Sequence, residues 1–378
     1  MTAERLRIAV SGMIAAVPNH GGATWAVLQY LLGFRELGHE VVFVEQVDPD
    51  TDLERSQSTA YMRKVAERFG LEDSWALLAA GTQRTAGLPY DALTAFARDA
   101  DVLVNISGIL TDENLMGAPR VKVYLDLDPA FNQLWHAQGI DMHFGGHDRF
   151  VTVGQAIGTS SCTVPTAGID WIPTVPPVVL AHWPVSAGGD DFTTIGNWRG
   201  YGSVEHEGVH YGQKAHSMRE YMGLAARTDA PFRLALDVHP AETPDVDALD
   251  RNGWQIVAPS TVAADPDSYR DFIAGSLAEL GISKSGYVLS RCGWFSDRSA
   301  CYLASGKPVV AQDTGFGAFL PTGAGLLSFA TEDDALAAVE DVRADYDRHV
   351  HAARNIAEQH LDSRKVLTRF LERVGATS

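Results

Sequence analysis

What most limits the fold of this chain is a repeated alternation. Short apolar runs of strand length are followed by helix-length segments almost from end to end, and most runs close on Gly, Ser or Asp. Leu6 to Val10 is the first such run and leads into Ser11-Gly12. A loop follows, then a helix on which Val27, Leu31 and Phe34 keep the i, i+4, i+7 spacing and Leu28 and Leu32 widen the stripe. Gly38 ends that helix before the strand Glu40 to Val44. The unit is strand, helix, parallel strand, and it recurs with helices over Arg55 to Phe69 and Ala92 to Ala100 and strands over Asp101 to Asn105 and Val121 to Leu125. Alternation at this spacing predicts α/β architecture with doubly wound parallel sheets.

At 378 residues the chain is long enough for two domains. The proline-rich segment Ile172 to Pro184, followed by Ser186-Ala-Gly-Gly-Asp-Asp191, resists helix and central strand and marks the boundary. The pattern then restarts with strand Phe192 to Ile195, helix Lys214 to Ala226, strand Phe232 to Leu236, strand Gly253 to Val257 and strand Gly286 to Ser290. Residues 333–374 read as two helices. The expected division is a Rossmann-like domain over 1–180, a second over 181–350, and a last helix over 351–378 that packs back on the first.

The stretch from Arg291 to Pro321 has the clearest local signals for a ligand site. Gly293 permits a sharp turn, Ser296 is a natural N-cap for a helix over Asp297 to Ser305, Gly306 supplies a left-handed stop, and Pro308 precedes the strand Val309 to Ala311. Such a helix start at the carboxyl edge of a parallel sheet presents free amides and a positive dipole end, which suit phosphate. Ser296, Arg298 and Ser299 lie in that first turn.

Composition narrows the partners. A formal net charge of −18 argues against nucleic acid and anionic membrane surfaces, so an anionic ligand would be held by a few local cations and amides. Cys162, Cys292 and Cys301 are too few and scattered for a disulfide framework or a zinc site. The start, MTAERLRIAVSGM, lacks a signal-peptide core, and no run is long enough for a membrane span, so a cytoplasmic protein is expected. The glycines do not fit G-x-G-x-x-G, since Gly12 stands ten residues before Gly22, and a nicotinamide fingerprint is missing.

Taken together, several phrases resemble the GT-B glycosyltransferases. Leu37-Gly38-His39-Glu40-Val41 is similar to the "LGHEV" end of their first helix. Gly196-Asn197-Trp198-Arg199 and Gly212-Gln213-Lys214 resemble the start of their donor domain, and Cys301 to Val310 stands where the family has "EAMAxGxPVV". The resemblance spans nearly the whole chain in architecture. It implies transfer of a sugar from a nucleoside diphosphate sugar to a small-molecule or carbohydrate acceptor, without cofactor or metal. Composition typical of a GC-rich bacterium adds secondary metabolism as a setting.

Carried over residue by residue, the resemblance implies His20 as general base, Arg199 and Lys214 as phosphate contacts joined by Arg298, and Gln312 and Asp313 at donor-sugar hydroxyls. Gly21, Gly22 and Gly293 are the corresponding backbone loop positions. Retaining members carry glutamates where this chain has Cys301 and Gly293, which removes the usual acceptor for ribose hydroxyls. An epimerase or hydrolase on the same fold, or a non-catalytic binding protein, are the alternatives.

Two acidic or histidine-rich features complete the candidates. Asp126-Leu-Asp128 puts two carboxylates on one face of a strand end, where they can hold a divalent cation, orient the histidine or take an acceptor hydroxyl. Asp126 is assigned to catalysis, and Asp128 with His147 to the acceptor side. His136, His143 and His147 would need a helix to share a metal, and Gly145-Gly146 forbids one. Of Trp25, Trp135, Trp183, Trp198 and Trp294, one or two are expected to line a sugar site.

Overall fold

The computed structural model describes residues 5–377. The first half is an eight-stranded sheet built from β1 (Arg7–Ser11), β2 (Glu40–Val47), β3 (Trp75–Ala79), β4 (Thr85–Gly87), β5 (Val102–Ile106), β6 (Val121–Asp126), β7 (Arg149–Thr152) and β8 (Trp171–Pro173). Its order is β4-β3-β2-β1-β5-β6-β7-β8, parallel except for the β3–β4 pair. In the second half β9 (Phe192–Asn197), β12 (Phe232–Asp237), β13 (Gln255–Val257), β14 (Ala278–Gly281), β15 (Val309–Gln312) and β16 (Leu326–Phe329) form a parallel sheet in the order β13-β12-β9-β14-β15-β16. A separate hairpin, β10 (Val204–His206) and β11 (Val209–Tyr211), lies between β9 and β12 in the chain.

Both sheets are doubly wound, so each has a point where the strand order reverses. In the first it lies between β1 and β5, in the second between β9 and β14. Crossovers leave on opposite faces there, and the carboxyl ends of the flanking strands are left uncovered.

The apolar alternation is realised as buried strands. Ile8, Val10, Val102, Val104, Val123 and Leu125 are sealed from water, and helix Gly21–Glu36 packs Val27, Leu28, Leu31 and Phe34 onto the same core. That core is continuous across the halves: Trp25 meets Trp183 with ring centroids 4.9 Å apart and donates from Nε1 to the Pro266 carbonyl at 2.8 Å. The last helix, Ser363–Arg373, packs on the first one, with Phe34 against Phe370. Gly33 lets the two helices approach closely, since a Cβ there would meet Leu367 Cδ1 at 2.5 Å and push that side chain aside.

The chain therefore passes between the halves twice. The two crossings touch: Val178 N–H donates to the Leu361 carbonyl at 2.8 Å and Ser363 N–H to the Val178 carbonyl at 2.9 Å.

Several expected elements are placed differently. Gly286 to Ser290 is not a strand but part of a helix, Ser285–Ser290, while the strand is Ala278–Gly281, built from helix-forming Ala, Glu and Leu. Burial decides it: Glu279 is sealed at the centre of the sheet and paired with Arg298, and Gly286 packs so closely on Phe131 that a Cβ would lie 2.6 Å from its ring. The expected helix Lys214 to Ala226 stops at Glu220 and gives way to a short 3-10 turn at Leu224–Arg227. Residues 333–374 hold three helices, Glu332–Ala344, Tyr346–Ile356 and Ser363–Arg373, because the run breaks at the non-helical Asp345 and again at a π-helical turn, Ala357–Leu361. Prolines did not bar a strand at Trp171–Pro173, which is the sheet edge where Pro is tolerated.

Candidate functional site

The two reversal points face each other across a cleft with two connected lobes, of about 470 and 610 Å³. His20, Ala23, Gly196, Asn197, Asp297 and Arg298 line both. The first lobe receives Met13 after β1, Ile106 and Ser107 at the end of β5, Asn197 at the end of β9, and Ser283 and Lys284 after β14. The second lies along the ends of β12 and β13, against Leu236 to Val238 and Ile256 to Ser260.

The loop after β1 is held by one acid. Glu45, sealed within β2, accepts from the amides of Ile14 and Ala15 at 2.8 Å each and of Ala16 at 2.6 Å. Burial raises its pKa against those three amides. Met13 and Val17 thereby reach the first lobe.

His20 immediately precedes helix Gly21–Glu36, is exposed, and borders both lobes. Opposite it stand two cations of the second half. Lys214 is buried, donates to the Ile282 carbonyl, and has its pKa pushed down to about 7 by burial and then by the charge of Arg298. Arg298 donates to the Ile195 carbonyl at 2.9 Å and pairs with the sealed Glu279 at 2.5 Å, whose charge keeps it protonated despite burial. Ser296 caps the helix Asp297–Ala304, its Oγ accepting from Arg298 N–H at 3.2 Å, and lines the first lobe. Gly306, at φ +71°, ends the following turn in the left-handed region.

Other expected site residues lie elsewhere. Asp126 is sealed, not catalytic in position: Oδ1 accepts from Asn132 at 2.6 Å and Asp128 N–H at 3.0 Å, and Oδ2 from Gln133 and Thr152 at 2.8 Å each. Burial still raises its pKa to about 6. With all these acceptor positions used, Asp126 cannot share a cation with Asp128, and among the described residues no three His, Cys, Asp or Glu gather as ligands. His147 points away from the cleft into aromatic packing beside Tyr124, bonded to Asn105 at 3.1 Å, and burial lowers its pKa.

Arg199 turns from the cleft to Glu242, 2.7 Å away. Ser299 faces the interior. Gln312 is buried and accepts from Ser283 N–H at 3.1 Å, which fixes the backbone beside Lys284 but leaves no side chain for a sugar. Asp313 pairs with Arg291 at 3.3 Å and accepts from Gly315 N–H at 2.8 Å.

The glycines serve close approach. Gly21 borders the second lobe, but its N–H is spent on the Ala263 carbonyl and a Cβ would lie 2.2 Å from Asp265 O; at Gly22 a Cβ would meet the Tyr269 ring at 2.9 Å. Gly293, at φ +74°, packs on Ala156 of the first half and donates to the Thr314 carbonyl. Cys301, in the place of a family glutamate, is buried against Gln29.

Asp128 does face the cleft, in company the sequence did not reveal. Tyr201 and Tyr287 each donate to its Oδ1 at 2.6 Å and Lys284 Nζ lies 3.0 Å away, seated over the Tyr201 ring at 3.8 Å. Burial raises its pKa, but Lys284 and the two hydroxyls more than offset this and hold it below the usual range. Trp294 stacks on Tyr287 at 4.3 Å and lines the first lobe, whereas Trp25, Trp183 and Trp198 are sealed in the core and Trp135 packs on Tyr201. Asp297 and Tyr30, which also border the cleft, were likewise missed. Their only sequence signals were a carboxylate in a helix first turn and a tyrosine on an apolar stripe.

No protein-family model and no curated protein matches this sequence. Solved structures do. An alpha-glucosyltransferase in complex with UDP-glucose and DNA containing an abasic site superposes with a TM-score of 0.63 at 15% identity, covering 98% of this chain and 100% of its own. Anabaena HepE in complex with UDP and glucose gives 0.62 at 12% identity, with 98% and 100% covered. A glycosyltransferase from Rickettsia africae gives 0.54 at 11%, with 98% of each covered.

The fold is GT-B.

Residues of both halves line each lobe. The exclusion of nucleic acid and the narrowing to a small-molecule acceptor, both expected from charge and resemblance, do not stand. Glucosyltransferases bound to DNA share the GT-B fold over the full length of this chain. Net charge sums the whole surface and leaves the cleft's own character open. No helix among the described residues is long and apolar enough to cross a membrane.

Proposed function

We propose that this protein transfers a sugar from a nucleoside diphosphate sugar to an acceptor hydroxyl. The observation that carries the reading is the meeting of His20 with Lys214 and Arg298 at one cleft between facing reversal points. The nucleoside lies in the second lobe along β12 and β13, and the diphosphate reaches the start of helix Asp297–Ala304, where Lys214, Arg298 and the helix dipole meet its charge. UDP, present in the HepE structure and as UDP-glucose in the alpha-glucosyltransferase above, is the first nucleotide to test.

During transfer the acceptor oxygen bonds to the anomeric carbon while the bond from that carbon to the diphosphate oxygen breaks, and the diphosphate leaves with the electron pair. The acceptor proton goes to the His20 imidazole as general base. The leaving charge falls to Lys214 and Arg298, so turnover is expected to survive chelation of divalent cations.

Calorimetry against UDP, ADP, GDP and dTDP, followed by product mass with the matching sugar donor, tests the reading. His20→Ala is expected to keep donor affinity and to lose about 100-fold or more in turnover. Near wild-type turnover would remove His20 from the mechanism. Failure to bind any of the four nucleotides would overturn the enzyme reading.

A further inference from the structure

The second lobe changes character along its length. Beneath it the strands stand in the order β9, β12, β13, about 4.8 Å from one to the next. Arg298 marks the β9 end, where it donates to the Ile195 carbonyl at 2.9 Å. Ile256, Val257 and Pro259 make the β13 end apolar, and among the described residues no charged side chain lines it. Between the two, at the carboxyl end of β12, stands Asp237, in register with Asn197 of β9.

Asp237 lines the lobe, is exposed, and among the described residues its carboxylate has no hydrogen-bond or ion-pair partner. The other carboxylate lining the lobe among those residues, Asp297, stands beside Arg298 at the start of the helix that meets the diphosphate. Cys301, one turn further along that helix, is buried against Gln29 and does not line the lobe.

We propose that Asp237 holds the ribose of the donor nucleotide by its two vicinal hydroxyls. The proposal rests on the glycosyltransferase reading above and adds how a ribonucleotide is told from its deoxy form. A nucleoside diphosphate is laid out as the lobe is, with charge at one end, a diol in the middle and a flat ring at the other. With the diphosphate at Arg298 and the base against the apolar end, the ribose comes to lie over β12. Its 2′- and 3′-hydroxyls both donate, and the two oxygens of one carboxylate accept from both in charge-assisted hydrogen bonds. Asp237 also stands one strand away from the diphosphate, so it is not set directly against that charge. It follows that dTDP, which lacks the 2′-hydroxyl, is disfavoured as the donor's nucleotide.

The test takes whichever of UDP, ADP and GDP binds best, with its 2′-deoxy and 2′,3′-dideoxy forms. Wild type is expected to bind the ribonucleotide about tenfold or more tighter than the dideoxy form, with the 2′-deoxy form between them. Asp237→Ala is expected to lose about tenfold on the ribonucleotide and to bind the dideoxy form at least as tightly as wild type does. Asp237→Asn, which keeps one acceptor oxygen, should fall between. Both variants should melt with the wild type, because the side chain has no partner in the fold. Equal losses on ribonucleotide and dideoxy nucleotide would assign Asp237 to the base or to the fold and overturn the proposal. Equal wild-type affinity for the two forms, or dTDP as the tightest ligand, would overturn it as well, and in each case the transferase reading stays in place. A wild-type protein that binds none of the nucleotides overturns both.

Discussion

Lys284 Nζ of the second half lies 3.0 Å from Asp128 Oδ1 of the first, inside a cage of Tyr201, Tyr287 and Phe131. Removing either charge strands the other beside aromatic rings, but water reaches both, which limits the cost. Lys284→Met and Asp128→Asn should each lower stability by about 1–2 kcal/mol, and the double variant by less than their sum. Urea titration of the four proteins checks this. The pH sign follows from a carboxyl held below its ordinary value: the Asp128 contribution is intact above about pH 4 and is lost as pH falls below that.

Asp126 carries the opposite sign. Its folded value of about 6 lies above that of an unfolded aspartate, so folding favours the protonated form and stability attributable to this group falls as pH rises from about 4 to 6. Asp126→Asn should flatten the stability profile across that interval by about 3 kcal/mol. Denaturation midpoints measured from pH 4 to 7 would show it, and an unchanged slope would contradict the assignment.

Lys214 sits near half protonation at neutral pH. A diphosphate arriving beside it favours the charged form, so nucleotide binding at pH 8 should take up close to one proton and affinity should decline as pH rises above 7. Calorimetry in HEPES and Tris, whose ionisation enthalpies differ, counts that proton. Lys214→Met should abolish the uptake and weaken binding by about tenfold.

Gly21→Ala tests the contact between the halves. The added Cβ would press on Asp265 O, so either the loop or the first helix must shift, at a cost of about 1–3 kcal/mol. Gly38→Ala, where nothing surrounds the new carbon, carries only the penalty of its positive φ. Thermal melts should rank Gly21→Ala as the more damaging.

Much of the fold was legible because its signals are local. Ile8 and Val10 read as buried strand, and Ser296, Gly306 and Pro308 bracket a helix within one turn of where it forms. Lys214, Arg298, Ser296, His20 and Asp128 do border the cleft. The misplacements share a cause. Ala278–Gly281 is a strand whose Glu279 is paired with Arg298, 19 residues on, and the glycine of Gly286 to Ser290 answers to the close approach of Phe131, 155 residues earlier, and not to a strand start. The same holds for Arg199, Gln312 and Asp313, whose partners Glu242, Ser283 and Arg291 draw them out of the site. Lys284 carries no motif, and its importance comes from the Asp128 carboxylate it meets across the cleft.

The paired crossings at Val178 and Leu361 have a mechanical consequence. Two strands of chain bonded side by side act as a single hinge pin, so one half can swing against the other but cannot slide past it without breaking both bonds. Any opening about that line would have to separate Lys284 from Asp128, the ion pair that joins the cleft walls.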